Sequence, residues 1–80
     1  MKYVIVNHNG CEVPHMFPDM VEHVMFRYND PVSAGKFRIS TNADNGELIY
    51  EVYGESTSLK LKHRPEDADI IRHAFEFEGA

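Results

Sequence analysis

Five histidines and one cysteine are the residue types here best suited to chemistry. His8, Cys11, His15 and His23 crowd the first third of the chain with the spacing H-x2-C-x3-H-x7-H. Zinc needs three or four ligands that converge tetrahedrally, and these usually come from closely spaced pairs. The observed spacing matches no standard finger or knuckle, and His63 and His73 lie far off in sequence. The expectation is surface or strand-end histidines with no metal and no cofactor. His8, Cys11 and His15 are the first ligands to test for one. Cys11, in a short strand after a turn, reads as a small core residue. A lone thiol forms no internal disulfide, which suits a reducing cytosol.

Catalytic groupings are sparse. Glu66, Asp67 and Asp69 fall in the first turn of a predicted helix, where the macrodipole favours acids without any catalytic role. Ser33, Ser56 and Ser58 lack the strand-turn-helix context of an activated serine. No glycine-rich phosphate loop precedes a helix. A Cys11/His15 pair has no other elements to position it. The sequence therefore predicts a protein that is not an enzyme.

Charge carries more information. Lys36, Arg38, Lys60 and Lys62 all fall on the outward phase of two predicted strands. With Arg64 they make five of the eight basic residues. Side by side, they form a basic stripe that suits phosphate contact or simply solvates an outer face and guards an edge. The formal charge of −5 opposes general nucleic-acid affinity. Glu66, Asp67, Asp69, Glu76 and Glu78 gather at the C-terminal helix, either imitating nucleic acid or forming a solvated face. Tyr50 and Tyr53 lie on opposite faces of one strand, so one of them points outward. Tyr53 beside Arg38 or Lys60 is the candidate interface anchor.

The elements that must position these residues follow from pattern. Lys2 to His8 is β-branched and apolar on both faces, which predicts a strand covered on both sides. Asn9-Gly10 is a hairpin signal. Cys11 to Val13 returns as a short strand ended by Pro14, after which Met16 and Phe17 plug the core from a loop. Met20, Val21, Val24, Met25 and Tyr28 recur at helical spacing after a Pro18-Asp19 start. Gly35 marks a candidate bulge or tight bend. Lys36 to Ser40 alternates, with Phe37 and Ile39 inward. A second Asn-Gly ends the turn of residues 41–46. Leu48 to Tyr53 is a strand, and Ser56 to Lys62 alternates again with Leu59 and Leu61 inward. Arg64-Pro65-Glu66-Asp67 starts a last helix whose stripe is Ile70, Ile71, Ala74, Phe75 and Phe77. The order β-β-α-β-β-β-α predicts an α+β domain, a small antiparallel sheet with two helices packed on one face.

An 80-residue chain is one domain, 1–80, with residues 78–80 as a frayed tail. Its 42% apolar and 26% charged residues are ordinary for a soluble domain. No apolar run approaches the roughly 18–20 residues of a membrane helix. Lys2 leads into a strand-like run rather than a signal-peptide core.

Several segments combine into a resemblance. Asn9 to Pro14 (N-G-x-E-V-P), Phe17-Pro18, Val32 to Gly35 (V-S-A-G), Tyr53 to Ser56 (Y-G-E-S) and Arg64 to Ala68 (R-P-E-D-A) are spread over most of the chain. This pattern resembles small uncharacterised phage and prophage proteins of Gram-negative bacteria. The resemblance implies cytoplasmic expression in a bacterial host. It transfers no catalytic or binding residue. The expected function is that of a small accessory protein binding a host or phage protein, with inhibition of a host defence component as one form. The binding residues are Lys36, Arg38, Lys60, Lys62, Arg64 and Tyr53. Nucleic-acid binding by the same basic face is one alternative, and a small-ligand-binding dimer is another. The chain is expected as a monomer or homodimer.

Overall fold

Strand β1 (Lys2–His8) lies at the centre of the fold because both of its faces are apolar. Tyr3 and Ile5 point one way, and Val4 and Val6 point the other; all four are buried. The structure, a computed structural model, describes residues 1–78, with side chains through Glu76. Residues 79 and 80 of the expected tail, and the side chains of Phe77 and Glu78, lie outside the described residues.

β1 is flanked on one side by β2 (Cys11–Phe17) and on the other by β3 (Pro31–Thr41). β4 (Leu48–Tyr53) completes an antiparallel sheet of order β2-β1-β3-β4. Asn9 and Gly10 take φ of 54° and 85° at the first hairpin, the left-handed geometry that an Asn-Gly pair tolerates. β2 does not stop at Pro14 but runs through it to Phe17. Met1 C=O accepts from Phe37 N–H at 2.9 Å, and Asn7 N–H donates to Asp30 C=O at 2.9 Å. Odd residues of β1 therefore bond towards β3 and even residues towards β2. Pro14, opposite Ile5, points its nitrogen off the sheet edge, where no ladder bond is lost.

The two faces of the sheet carry separate clusters. Tyr3, Ile5 and Phe37 pack with Ile71 of α1 (Asp67–His73), joined by Met16, Tyr50, Val52 and Ile70. Val4, Val6, Phe17 and Ala34 form the second cluster, covered by Val21, Phe26, Leu59 and Leu61. The expected pair of helices on one face is thus corrected to one helix on one face. The other face is covered by a loop and a ribbon.

The segment expected as a first helix holds only a 3-10 turn, His23–Phe26. Its backbone bonds run over three residues, Met25 to Glu22 and Arg27 to Val24. The inward residues are Val21, His23 and Phe26, whereas Met20, Met25 and Tyr28 are exposed. A buried histidine, bonded through Nε2 to Gly35 C=O at 3.0 Å, sets the phase that the apolar spacing missed. Cys11 is exposed, not core. It pairs with His8 at a hairpin tip that projects beyond the start of β3 at Pro31.

The predicted strand over Ser56 to Lys62 is instead a tight ribbon of β5 (Glu55–Ser56) and β6 (Leu61–Lys62). Lys60 has φ 58° in its turn, and Ser56 Oγ accepts from Leu59 N–H at 3.2 Å. Leu59 and Leu61 lie against one face of the sheet, and Asp67 to Ile71 against the other. The chain passes between the faces beside Gly35. A Cβ there would stand 2.6 Å from Tyr53 C=O and 3.2 Å from His63 Cβ. The register shift falls instead between Ile5 and Val6, which face Ser33 and Pro31, so Val32 is the bulged residue.

Gly35→Ala must displace a backbone carbonyl, and we expect a loss of about 2–3 kcal/mol in denaturant unfolding. Ser33 behaves oppositely. Its Oγ is buried and has no hydrogen-bond partner among the described residues. Ser33→Ala removes an unsatisfied hydroxyl, so unfolding should show unchanged or slightly increased stability.

Candidate functional site

Two arginine clusters separate what the sequence grouped together. Arg64 precedes α1 and turns towards the helix-bearing face. Its backbone N–H donates to Asp67 Oδ2 at 2.9 Å, and its Nε donates to Asp67 Oδ1 at 3.0 Å. Its Nη1 and Nη2 reach Glu12 Oε2 and Oε1 at 3.2 and 2.8 Å, a two-oxygen grip across to β2. Tyr3 Oη donates to Asp67 Oδ2 at 2.6 Å. Asp67 has no exposed surface at all. Burial first, and then the Asp67 carboxylate, push the Tyr3 phenol well above its ordinary value. The Arg64 guanidinium holds Glu12 below the usual carboxylate range, and Glu12 in turn raises Arg64. Asp67 therefore does more than complement a helix dipole. The visible signal was the i, i+3 spacing of Arg64 and Asp67.

Arg38 belongs to the opposite face. In the β3–β4 ladder Lys36 faces Tyr53, and Arg38 faces Glu51. Directly opposed residues of an antiparallel pair share a face, so these four side chains lie together. Arg38 Nε and Nη2 donate to Glu51 Oε2 at 2.8 and 2.6 Å. The guanidinium carbon sits 5.7 Å from the Tyr53 ring centroid. Glu51 raises the Arg38 pKa. Such an exposed pair contributes little stability. It fixes the guanidinium beside a tyrosine ring that is 42% exposed.

The structure thus brings Lys36, Arg38 and Tyr53 together. Lys62, opposite Glu55, and Lys60 lie on the ribbon whose Leu59 and Leu61 cover the same face of the sheet. Arg64 is not brought to them; it is held by Glu12 and Asp67 on the other side. The ribbon also covers the inner half of this face, which leaves the β3–β4 corner with Ile49, Glu51 and Tyr53 open.

His8, Cys11 and His15 share one face of the β1–β2 hairpin, but the His15 ring packs tilted against Phe26 with ring centroids 5.4 Å apart. Among the described residues no group of three or more His, Cys, Asp or Glu side chains could hold a metal. Shallow surface grooves occur among the described residues. One, of about 270 Å³, runs between β2 and α1 beside Glu12, Pro14 and Ile70. Another, of about 310 Å³, lies beside His8, His15 and Asn29. These are at or below the small end of ligand pockets. No helix among the described residues is long and apolar enough to cross a membrane. Comparison with known proteins gives no matching family model, no matching curated protein and no matching solved structure.

The Asp67 cluster makes a pH-dependent prediction. The folded-state value of Tyr3 is raised, so its contribution is complete below the unfolded value of about 10 and is lost as pH rises beyond it. Wild-type stability should fall above about pH 10. Tyr3→Phe should be about 1.5–3 kcal/mol less stable at pH 7 and show a shallower alkaline decline in denaturant titrations.

Proposed function

We propose that the chain is a small, non-enzymatic protein-binding domain that engages its partner through the open β3–β4 corner. The observation that carries this reading is the Arg38 guanidinium, held by Glu51 and placed on the half-exposed Tyr53 ring. Tyrosine and arginine are the side chains most enriched where binding energy concentrates. Here both stand on paired strands, so ordering them on binding costs little entropy. Ile49 supplies adjacent apolar surface, and Lys36 supplies a cationic rim that favours a partner with acidic groups around an apolar pocket.

Nucleic-acid contact is the weaker reading. Two of the five cations in the expected stripe, Arg38 and Arg64, are committed to carboxylates. Phosphate binding would draw on the three lysines alone, against a net charge of −5. The resemblance to phage and prophage proteins directs the search to bacterial host proteins, with a defence component as one class of target.

The test is capture by the tagged full chain from nuclease-treated bacterial lysate. A stoichiometric protein should be retained by wild type, and its recovery should fall at least tenfold with Tyr53→Ala or Arg38→Ala. Both residues are exposed, so thermal melts of the variants should stay close to wild type. Equal capture by the variants, or recovery of nucleic acid alone from untreated lysate, would overturn the proposal.

A further inference from the structure

The two edges of the four-stranded sheet are unequal. In β2, the residues whose backbone groups point off the edge are Glu12, Pro14 and Met16. Pro14 has no N–H to offer, and Glu12 is a charged residue engaged by Arg64. These are features that discourage strand addition. The corresponding outward positions of β4, Leu48, Tyr50 and Val52, carry neither a proline nor a charge. Asn42 N–H donates to Glu47 C=O at 2.7 Å, while Phe37 N–H turns the other way, to Met1. Backbone direction alternates along a strand. Lys36, Arg38 and Ser40 therefore bond towards Tyr53, Glu51 and Ile49. The N–H and C=O groups of Leu48, Tyr50 and Val52 are left facing outward along the edge.

Apolar side chains stand along this edge, with the charged residues Glu47, Arg72 and Glu76 in a groove beside Leu48. Leu48 is 48% exposed, Ile49 is exposed, and Phe75 is 42% exposed with its ring 6.1 Å from Tyr50. The one charge within β4, Glu51, is already neutralised by Arg38. We propose that β4 is the seam of a homodimer, in which two copies pair β4 antiparallel about a two-fold axis at Tyr50.

Register singles out this axis. Hydrogen-bonded pairs can form only between outward-facing residues. With the axis at Tyr50, Tyr50 faces Tyr50 of the partner copy and Leu48 faces its Val52. Every outward N–H and C=O of β4 then finds a partner. An axis at Glu51 sets two carboxylates directly opposite each other, which is unfavourable. With the axis at Tyr50, Glu51 faces Ile49 of the partner copy instead. A second copy is the occupant that supplies this spacing and this charge pattern together. A seam of six residues is short, and a stable interface buries at least about 1,200 Å². Leu48 and Phe75 must extend the contact on the helix-bearing face, and the dimer is reversible and concentration-dependent.

The test is sedimentation equilibrium of the full chain from micromolar to millimolar concentration. The mass should rise from 9.2 kDa towards twice that value. Leu48→Pro removes an outward N–H without touching the β3 ladder. Ile49→Glu places a carboxylate opposite Glu51 on both sides of the axis. Each should raise the dissociation constant by about tenfold or more, equivalent to about 1.4 kcal/mol. Ile49→Lys, which sets an ammonium against the same carboxylate, should retain the dimer. Thermal melts confirm that each variant is folded. A wild-type monomer at millimolar concentration would overturn the proposal. So would a dimer that survives both Leu48→Pro and Ile49→Glu, or one that Ile49→Lys breaks as completely as Ile49→Glu.

Discussion

The buried carboxylate of Asp67 is the constraint on which the helix-bearing half of the structure depends. A seven-residue helix has almost no stability of its own. α1 is held because its first residue is fixed to β1 by Tyr3 Oη, and to β2 through Arg64 and Glu12. One turn later, Ile71 then falls onto Tyr3, Ile5 and Phe37. Burying a carboxylate costs several kcal/mol, and the cost is offset only where its acceptor sites are filled. Here three donors, the Tyr3 hydroxyl and the Arg64 backbone and side chain, fill them. In a domain with so small a core, such an anchor selects one docking of the helix over neighbouring ones that hydrophobic contact alone would allow.

The same connection that delivers Arg64 to this anchor shapes the opposite face. The chain leaves β4 at Tyr53, forms the β5–β6 ribbon over Val4 and Ala34, and then passes Gly35 to reach α1. Covering both faces of β1 in this way uses up most of the sheet. The corner left open is where β3 and β4 extend past the ribbon, and there Arg38 and Tyr53 meet. Arg38 and Arg64, equivalent in a reading of charge along the sequence, are therefore separated by the sheet itself. One is part of the scaffold and the other stands on the open surface.

Much of the sheet was legible because alternation reports local burial directly. β1, β4, the Asn9-Gly10 hairpin and the Lys36 to Ser40 part of β3 follow from residue type, whereas the first half of β3, from Pro31 to Gly35, was not legible as a strand. Errors arose where tertiary contacts override local pattern. Helical spacing of Met20, Val24 and Tyr28 lost to the burial of His23, a polar residue that finds its partner in Gly35 C=O. The alternation of Ser56 to Lys62 hid a turn at Lys60, because leucines on a two-residue ribbon strand and its turn mimic a longer strand. Pro14 looked like a stop, yet it sits on an edge, where a missing N–H is harmless. Arg38 was legible as outward-facing and Tyr53 as a candidate anchor, but the sequence leaves open whether Arg38 or Lys60 stands beside it. Glu51 was not identified as the group that fixes them, since cross-strand register is set by the turn of residues 41–46 and not by either strand alone. The Glu12–Arg64 contact joins residues 52 apart in sequence and leaves no local trace.

Glu51 links the two readings of the open corner. Its pairing with Arg38 orients the guanidinium over Tyr53, and it also neutralises the charge that lies within β4 itself. A strand kept apart from its own kind would gain from a free carboxylate or lysine at this position. Spending that charge on Arg38 favours a corner that is ordered and an edge that accepts a partner. In the proposed dimer the two-fold axis stands perpendicular to the sheet, so both Tyr53–Arg38 corners emerge on the same face. The second corner is then presented at a fixed distance from the first, and a partner with two sites, or itself a symmetric dimer, is bound with an effective concentration that one copy cannot provide. In this proposal dimerisation and partner binding both depend on the Arg38–Glu51 pair, and neither requires the core to change.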